Sequence, residues 1–445
     1  MSRLNFLSGI AIATWALLLV VVQAGNATNY YVDGEHPRAS NTNPGTLDGP
    51  WSTIQYAAET AGAGDTVFLR GGIYHEHVTV ERGGEPSAHL VFSAYEDETP
   101  VLDGTGVTES ENGVVVAAPY VKLVGLEIRN WTGNGIWGEG AAFLEISDCV
   151  IHDVSYGIGL ADGTHDFVLN GVEVHHFDLY GFDVSPSGGN DCNHGTFIEC
   201  VAHTGRDRAQ NVDGFALGHG TQHGFALTRC RAYDVFDGFD ISARDTTLDR
   251  CLAYDCWNGA YKLWQDNVTL VNCVGHSSDG SIVELDWDGT PGVTTLVNCT
   301  FYGAEAYTVW VENAADTLHM YNCILAGGSN IGLAFEQRDI GAYRGDHNLF
   351  HSGNADRAIV VGYEDEFSLL LVGSGSWSAY SGQDVHSLIT HVDSGLFVDA
   401  ARFDLHLLPT SPAVDAGTDV DAPNEDYDGT ERPRGAGYDV GAYEL

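Results

Sequence analysis

The chain has 445 residues, of which 44% are hydrophobic and 18% are charged, so it can bury a large core. Its 62 acidic residues outnumber 19 lysines plus arginines, which gives a formal net charge of -43. Because a polyanion needs a basic binding surface, this charge argues against nucleic acid and anionic membranes as partners. The length exceeds one ordinary compact domain and is typical of a repeat protein.

The first 24 residues predict an export signal. Arg3 provides a short positive start, residues 6–22 are almost entirely apolar, and residues 22–24 form a small-residue cleavage site. The apolar run is slightly long for a signal peptide, so an uncleaved membrane anchor stays open as an alternative. We therefore expect a secreted protein, either extracellular or periplasmic.

The segment that follows predicts a cap for the open end of a solenoid. Ser52 or Thr53 can cap a short helix that runs through Ala61, and residues 65–69 then form the first strand. An uncovered solenoid end would expose apolar core and unpaired backbone groups, so a cap is physically required.

From residue 90 to about residue 333 the chain repeats two short apolar strands and a turn rich in glycine or aspartate. A period in the low twenties without helical periodicity predicts an all-β parallel β-helix, because the strands lack the leucine ladder of leucine-rich repeats. We therefore predict a signal peptide at 1–24, a parallel β-helix with its N-terminal cap at 29–374, and final coils with a C-terminal cap at 375–445.

The nine cysteines are an odd number for an exported chain, in which disulfides are the first expectation. Five of them recur at one position of the repeat, namely Cys230, Cys251, Cys273, Cys299 and Cys323. A cysteine at the same phase of each coil predicts small apolar side chains stacked inside the solenoid. The chain has no Cys-x-x-Cys pair, so a cysteine zinc site is not expected.

The residue types that carry chemistry concentrate at 211–264, inside the repeats. Similar phrases recur around Gly214, Gly238 and Gly259, with spacings of 24 and 21 residues. Equivalent residues on successive coils of a parallel β-helix stack about 4.8 Å apart. Taking the glycines as the register therefore predicts that the polar residues beside them meet on one face.

In that register Asp213, Asp237 or Asp240, and Lys262 lie on adjacent coils. Carboxylates packed that closely need protonation or a cation, and Ca²⁺ suits them because it takes about 6–8 oxygen ligands. Asp234 can join from the preceding turn. A lysine acts as a base only when neutral, and burial beside a cation lowers its pKa from about 10.4. The pattern predicts calcium beside a lysine base that removes the C5 proton of a uronate and starts β-elimination.

The phrases NVDGFA, CRAYDVFDGFD and GAYKL resemble family 9 of the polysaccharide lyases, the calcium-dependent pectate lyases with a right-handed parallel β-helix. The resemblance implies that Asp213, Asp237 and Asp240 bind calcium and that Lys262 is the Brønsted base. It also implies an acidic polysaccharide as the substrate, with pectate as the first candidate.

Two positions depart from the family pattern. Phe236 stands where the family has the first of two adjacent aspartates, and Asp234 is the candidate replacement. Trp264 follows the lysine segment where small glycines are usual. Arginine forks suit sugar carboxylates. The residues expected to contact substrate are Arg206, Arg208, Arg244, His219 and Trp264.

Two other functions stay open. A non-catalytic β-helix that binds glycan or serves at a cell surface would keep the solenoid without needing Lys262. A polygalacturonase-type hydrolase would use paired carboxylates. Residues 211–220 superficially resemble those enzymes, but the motif order differs and no Arg-x-Lys follows. We expect a monomer whose partner is an acidic polysaccharide.

Overall fold

The computed structural model describes residues 27–185, 190–218, 221–285, 292–312, 317–327, 331–338, 340, 343–351, 357–362, 364–391 and 395–445. These residues form an all-β parallel solenoid, which confirms the predicted fold class. The predicted signal peptide and His219 lie outside the described residues.

Successive coils contribute strands to three parallel sheets. The first sheet has 13 strands: Asn29–Val32, Thr66–Leu69, Leu90–Ala94, Val121–Val124, Glu145–Ser147, Val168–Asn170, Thr196–Ile198, Ala226–Thr228, Thr246–Asp249, Val268–Val271, Val293–Val297, Thr317–Tyr321 and Arg344–Asp346. The second sheet contains Gly72–Tyr74, Pro100–Asp103, Val201–His203, Arg231–Tyr233, Leu252–Tyr254, Val274–His276, Thr300–Tyr302, Ile324–Ala326, Leu349–His351 and Leu388–Thr390. The third sheet contains Val78–Val80, Val114–Val116, Asp213–Leu217, Phe239–Ile241, Tyr261–Leu263, Val283–Leu285, Tyr307–Val311, Ile331–Phe335 and Ile359–Val361, with Asp365–Phe367 added antiparallel. The long strands Glu127–Glu139, Val150–Ala161 and Glu173–Val184 pass through both the second and third sheets.

The core of the solenoid is built by residues that alternate inward along each strand. Phe182, Phe215, Phe239 and Tyr261 form an internal ring stack with centroid separations of 4.6, 4.8 and 5.2 Å. All nine cysteines are buried and form no disulfide, which confirms the predicted core position of the five that recur with the coils. Repeated inward positions therefore hold the same kind of side chain from coil to coil.

The N-terminal end is covered as the sequence predicts. Helix α1, Ile54–Thr60, begins after Thr53, whose hydroxyl accepts a hydrogen bond from the Tyr56 backbone N–H. The strand predicted as the first, Thr66–Leu69, is the second. Asn29–Val32 precedes it and pairs with it in parallel, with Val32 buried in the core.

The far end is covered by helices α2, Leu369–Gly373, and α3, Ser376–Ser381. Trp377 in α3 is fully buried among aromatic rings that include Phe335. A small antiparallel pair then follows, made of Phe397–Asp399 and Asp404–Leu407 with the 3-10 turn Ala400–Arg402 between them.

Residues 411–445, which we call the strap, return along the turns that join the first and second sheets. The side-chain amide of Asn322 donates to the Thr418 carbonyl at 2.8 Å, and that of Asn298 donates to the Asp439 carbonyl at 3.0 Å. The strap thus differs from the predicted final coils, because the asparagines of these turns bind its backbone. Within the described residues, no helix has the length and apolar character needed to cross a membrane.

Candidate active site

The candidate site lies on the outer face of the third sheet, where four successive strands carry one outward row of side chains. The row consists of Ala216, Asp240, Lys262 and Glu284, which are paired in register. Tyr261 and Leu263 flank the lysine and point into the core, with 0% and 2% of their surface exposed. The alternation of the strand therefore turns Lys262 outward beside two carboxylates.

The register derived from the glycines is correct between Gly214 and Gly238, because Phe215 pairs with Phe239, and it is wrong by one residue at the next coil. Phe239 pairs with Tyr261, so Gly238 lies opposite Ala260 and not opposite Gly259. A side chain at Gly238 would place Cβ 2.6 Å from the Ala260 carbonyl oxygen, so the glycine permits close approach of the two coils. Gly259 has another role, because its backbone N–H donates to Asp237 Oδ1 at 2.8 Å.

Asp213 and Asp237 complete a cluster with Asp240. One carboxylate oxygen from each of the three lies within 4.8 Å of the others. Asp213 accepts a hydrogen bond from the Asp237 backbone N–H at 3.3 Å and one from the Asn211 amide at 2.8 Å. Asp237 Oδ1 accepts from the Asn258 amide at 2.8 Å. These contacts hold two of the carboxylates in place at the edge of the sheet.

Two oxygens of this cluster are buried without a hydrogen-bond partner among the described residues, namely Asp237 Oδ2 and Asp240 Oδ1. Asp237 Oδ2 lies 3.8 Å from Nζ of Lys262. A buried carboxylate oxygen without a partner costs free energy, and a cation supplies the missing partner. An all-oxygen set of carboxylates fits a hard divalent ion such as Ca²⁺.

Burial and crowding of the carboxylates also raise their pKa values. Burial, reinforced by the charges of Asp237 and Asp240, raises the pKa of Asp213 to about 9. Burial and Asp237 raise the pKa of Asp240 to about 7. Burial lowers the pKa of Lys262, but Asp237, Asp240 and Glu284 outweigh that effect and leave it raised. Without a cation, the crowding therefore favours proton uptake by the aspartates, while the negative charge that remains around Lys262 favours its ammonium form.

Trp264 forms one wall of the site. Nζ of Lys262 lies 4.6 Å from the center of the Trp264 ring, a cation–π contact while the amine is protonated.

A cavity of about 50 Å³ opens beside the carboxylates. It is lined by Tyr180, Asp183, Asp213, Ala216, Leu217, Gly218, Asp240 and Ser242.

Asp234 is not brought into the cluster. It sits in a left-handed turn with φ of 52°, and its side chain is 41% exposed. Its Oδ1 accepts from the Trp257 indole at 3.1 Å and lies 3.4 Å from Arg208. The Arg208 guanidinium covers the Trp257 ring at 4.6 Å. The grouping of Asp234 with the other aspartates is thus corrected, and Phe236 packs against the core.

Arg206 and Arg244 have different surroundings. The guanidinium of Arg206 is 2.8 Å from Asp178 and 3.4 Å from Asp153, and it also donates to the Val154 carbonyl. These contacts tie neighboring coils together, which differs from the predicted substrate contact. Arg244 is exposed, and the described residues offer it no ion pair.

Glu284 and Asn258 are site residues that the sequence reasoning missed. Glu284 pairs with Lys262 on the next coil, and the Asn258 amide holds Asp237. A signal for the glutamate exists, because residues 281–285, SIVEL, align with residues 259–263, GAYKL. The asparagine has no such signal, since it lies in a turn of irregular length.

Comparison with known proteins gives a consistent family. Residues 30–330 match the model of the Pel9A-like right-handed β-helix region. Pectate lyase PEL9 of Emericella nidulans is 26% identical over 221 residues, which cover 48% of this chain and 50% of that protein. The uncharacterized protein YwoF of Bacillus subtilis is 36% identical over 89 residues, 20% of this chain and 18% of that protein. The chain thus matches half or less of the length of these curated relatives.

Two solved structures share the fold. The crystal structure of pectate lyase Pel9A has a TM-score of 0.55 at 15% identity, covering 95% of this chain and 97% of its own. XylC in complex with xylose has a TM-score of 0.58 at 11% identity, covering 94% and 98%. At these identities the likeness concerns the fold alone. The family model spans most of the chain, and the chain belongs to the Pel9A-like right-handed β-helix family of pectate-lyase-like proteins.

Proposed function

We propose that the protein is a polysaccharide lyase that cleaves a uronate-containing polysaccharide, with pectate as the first candidate, by calcium-assisted β-elimination. The observation that carries this proposal is the pair of buried oxygens on Asp237 and Asp240 that lack hydrogen bonds from the described residues and lie next to Lys262. Asp213, Asp237 and Asp240 would hold the calcium ion. The family membership and the relative named pectate lyase support the same reaction class.

Lys262 supplies the base in this proposal. Its Nζ takes the C5 proton of the uronate, and the electron pair left on C5 forms the C4–C5 double bond as the C4–O bond breaks. The departing glycosidic oxygen receives a proton from solvent. Bound calcium would withdraw electron density from the uronate carboxylate and offset the aspartate charges that keep the lysine protonated. Tyr261 and Leu263 fix the lysine, because both are locked in the core.

The proposed setting is an exported monomer. Arg208, Arg244 and Trp264 are the proposed substrate contacts, and the Arg208–Trp257 stack adds an aromatic surface beside the site. N-terminal sequencing of the protein recovered outside the producing cell tests export, since cleavage after residue 24 yields a chain that starts at Gly25.

The reaction is tested by following the ultraviolet absorbance of the unsaturated uronate product. Purified protein is incubated with polygalacturonate, with calcium or with a chelator. We expect a calcium-dependent rise that Lys262→Ala reduces by at least about 10²-fold, because loss of a general base costs about 10²–10⁴-fold.

Lys122→Ala is the matched control. Lys122 is the other lysine of the chain, and it pairs with Glu145 at 2.7 Å on the first sheet. It should keep full activity. A folded wild-type protein that produces no unsaturated product from polygalacturonate, alginate or other uronans would instead support a non-catalytic glycan-binding or structural module.

A further inference from the structure

A second group of metal-ligating side chains lies at the far end of the solenoid, away from the candidate active site. One carboxylate oxygen of Asp346 and one nitrogen each of His347 and His386 lie within 4.8 Å of one another. The two imidazole rings stack with centroids 5.0 Å apart. Asp346 ends the last strand of the first sheet, and His386 follows α3, so the group joins two separate segments.

His347 occupies a position that asparagine holds on the preceding coils. The pairing of Val297 with Tyr321 and of Tyr321 with Asp346 places Asn298, Asn322 and His347 at the same turn. All three have left-handed backbone, with φ of 50°, 54° and 56°. Asparagine suits this conformation and also binds the strap. The change to histidine at the last coil retains one strap contact and adds a ring nitrogen.

The hydrogen bonds fix which nitrogen of each ring is free. His347 Nδ1 lies 2.9 Å from the Ala416 carbonyl oxygen, which only accepts, so this nitrogen carries the proton. His386 Nδ1 lies 2.7 Å from the Asp346 carboxylate and is protonated for the same reason. The lone pair of each neutral imidazole is therefore on Nε2. A histidine that binds zinc through one ring nitrogen usually donates a hydrogen bond from the other to a carbonyl or carboxylate, which orients the ring.

We propose that Asp346, His347 and His386 form a site for a d-block dication such as Zn²⁺, in which the two imidazoles bind the ion through Nε2 and Asp346 orients His386. Imidazole selects zinc, copper or nickel over calcium, so this site is chemically distinct from the aspartate cluster. At Zn–N distances of about 2.0–2.1 Å the two nitrogens must come within roughly 3.5 Å. The side chain of His386 is 64% exposed, so its ring can reorient toward Nε2 of His347.

The bound ion would connect three parts of the molecule. His347 belongs to the last coil, His386 to the segment after α3, and Ala416, which holds the His347 ring, to the strap. An ion that binds only the folded chain stabilises it by a free energy that rises with the logarithm of its concentration over its dissociation constant. Zinc should therefore raise the melting temperature by tethering the end of the solenoid to the strap.

The test uses full-length protein without a histidine tag, freed of metal and titrated with Zn²⁺ in a calorimeter and in thermal melts. We expect one ion per chain and a rise in melting temperature. His386→Ala and His347→Ala should each weaken binding by at least about 10-fold and remove the thermal shift. His391→Ala, at an exposed histidine near the same end, should change neither.

His386 is largely exposed, so its substitution tests the site even if His347→Ala fails to fold. Absence of zinc binding to the wild-type protein would overturn the proposal. Binding that survives His386→Ala unchanged would also overturn it and would point to another histidine cluster.

Discussion

At the scale of single residues, the aspartate cluster places three carboxylates so close together that their negative charges repel one another. Asp213 and Asp237 are 1% and 0% exposed, yet both neighbor a third carboxylate. Such a group must take up protons or a cation, because buried like charges cannot all ionise.

This repulsion predicts how the stability of the metal-free protein depends on pH. Asp213 and Asp240 have folded pKa values raised to about 9 and about 7, against about 3.9 when unfolded. The folded state therefore binds more protons than the unfolded state, and the free energy of unfolding falls from pH 7 to pH 9. In chelator, the melting temperature should drop over this range.

Calcium should restore the stability lost at pH 9, by about 2.7 kcal/mol at 100 times its dissociation constant. Asp240→Asn should reduce both the pH-dependent loss of stability and the effect of calcium. Asp97→Asn, at an exposed position, should alter neither. Identical melting curves at pH 7 and pH 9 in chelator would contradict this prediction. Buried cysteines, whose pKa is raised by burial, add a loss of stability that all three proteins share, so the difference between the wild type and Asp240→Asn reports on the aspartate cluster.

The four central residues of the candidate site, Asp213, Asp237, Asp240 and Lys262, were predictable from the sequence because they follow the coil period. Asp234 and Arg206 were misassigned because their partners cannot be inferred from the period alone. Arg206 binds carboxylates 28 and 53 residues earlier, at Asp178 and Asp153. Asp234 lies in a left-handed turn three residues before Asp237, and its side chain contacts Trp257 and Arg208.

At the scale of elements, the second sheet carries an outward stack of aromatic and imidazole rings along seven positions. Neighboring centroids are 4.2 to 5.3 Å apart. The rings are His152, His175, His203, Tyr233, Tyr254, His276 and, beyond the strands, Phe403. The stack connects the middle of the solenoid to the C-terminal segment.

His276 makes this stack sensitive to acid. Burial between Tyr254 and Phe403 lowers its pKa to about 4, while the unfolded chain titrates near about 6.5. The unfolded state thus gains a proton first as the pH falls, and the stability is lost from pH 6.5 downward. The loss from pH 7 to pH 5 is on the order of 2 kcal/mol.

His276→Phe keeps the stacking and removes the titrating group. Its melting temperature should fall less than that of the wild type between pH 7 and pH 5, with calcium present to keep the aspartates ionised. His391→Phe should behave like the wild type. Equal acid sensitivity in His276→Phe and wild type would show that His276 does not carry the effect.

The strands and the cysteine stack were predictable because each coil repeats the same inward positions. The exact pairing was not, because glycine serves two purposes. Gly238 lets two coils approach, whereas Gly259 donates its N–H to Asp237. A register that counts both as equivalent is displaced by one residue and would turn Asp240 toward the core row of Tyr261.

At the scale of the whole molecule, the strap depends on a buried ion pair. Arg432 and Glu444 are both 0% exposed, with Nη1 and Oε2 3.0 Å apart. Arg432 also donates to the Gly441 carbonyl, next to the site where the strap meets Asn298. The sequence did not predict the strap, because its contacts join residues up to 175 positions apart.

Arg432→Met should lower the free energy of unfolding by about 3–5 kcal/mol, because Glu444 is left as an unpaired buried charge. Arg402→Met provides the comparison, since Arg402 is 86% exposed and its pair with Asp399 contributes about 0–1 kcal/mol. Denaturant midpoints measure both changes. Limited proteolysis should cut residues 411–445 sooner in Arg432→Met, and equal midpoints for the two variants would contradict the role of the pair.

The strap also limits how this solenoid can change in length during evolution. It is anchored at one point where Glu425 meets Arg250 and at another where Thr418 meets Asn322, three coils further along. Duplication of one coil between these anchors would move them apart by about 4.8 Å, while the intervening strap keeps its length. Gain or loss of a coil in this interval therefore requires a matching change in the length of the strap, which lies far away in the sequence.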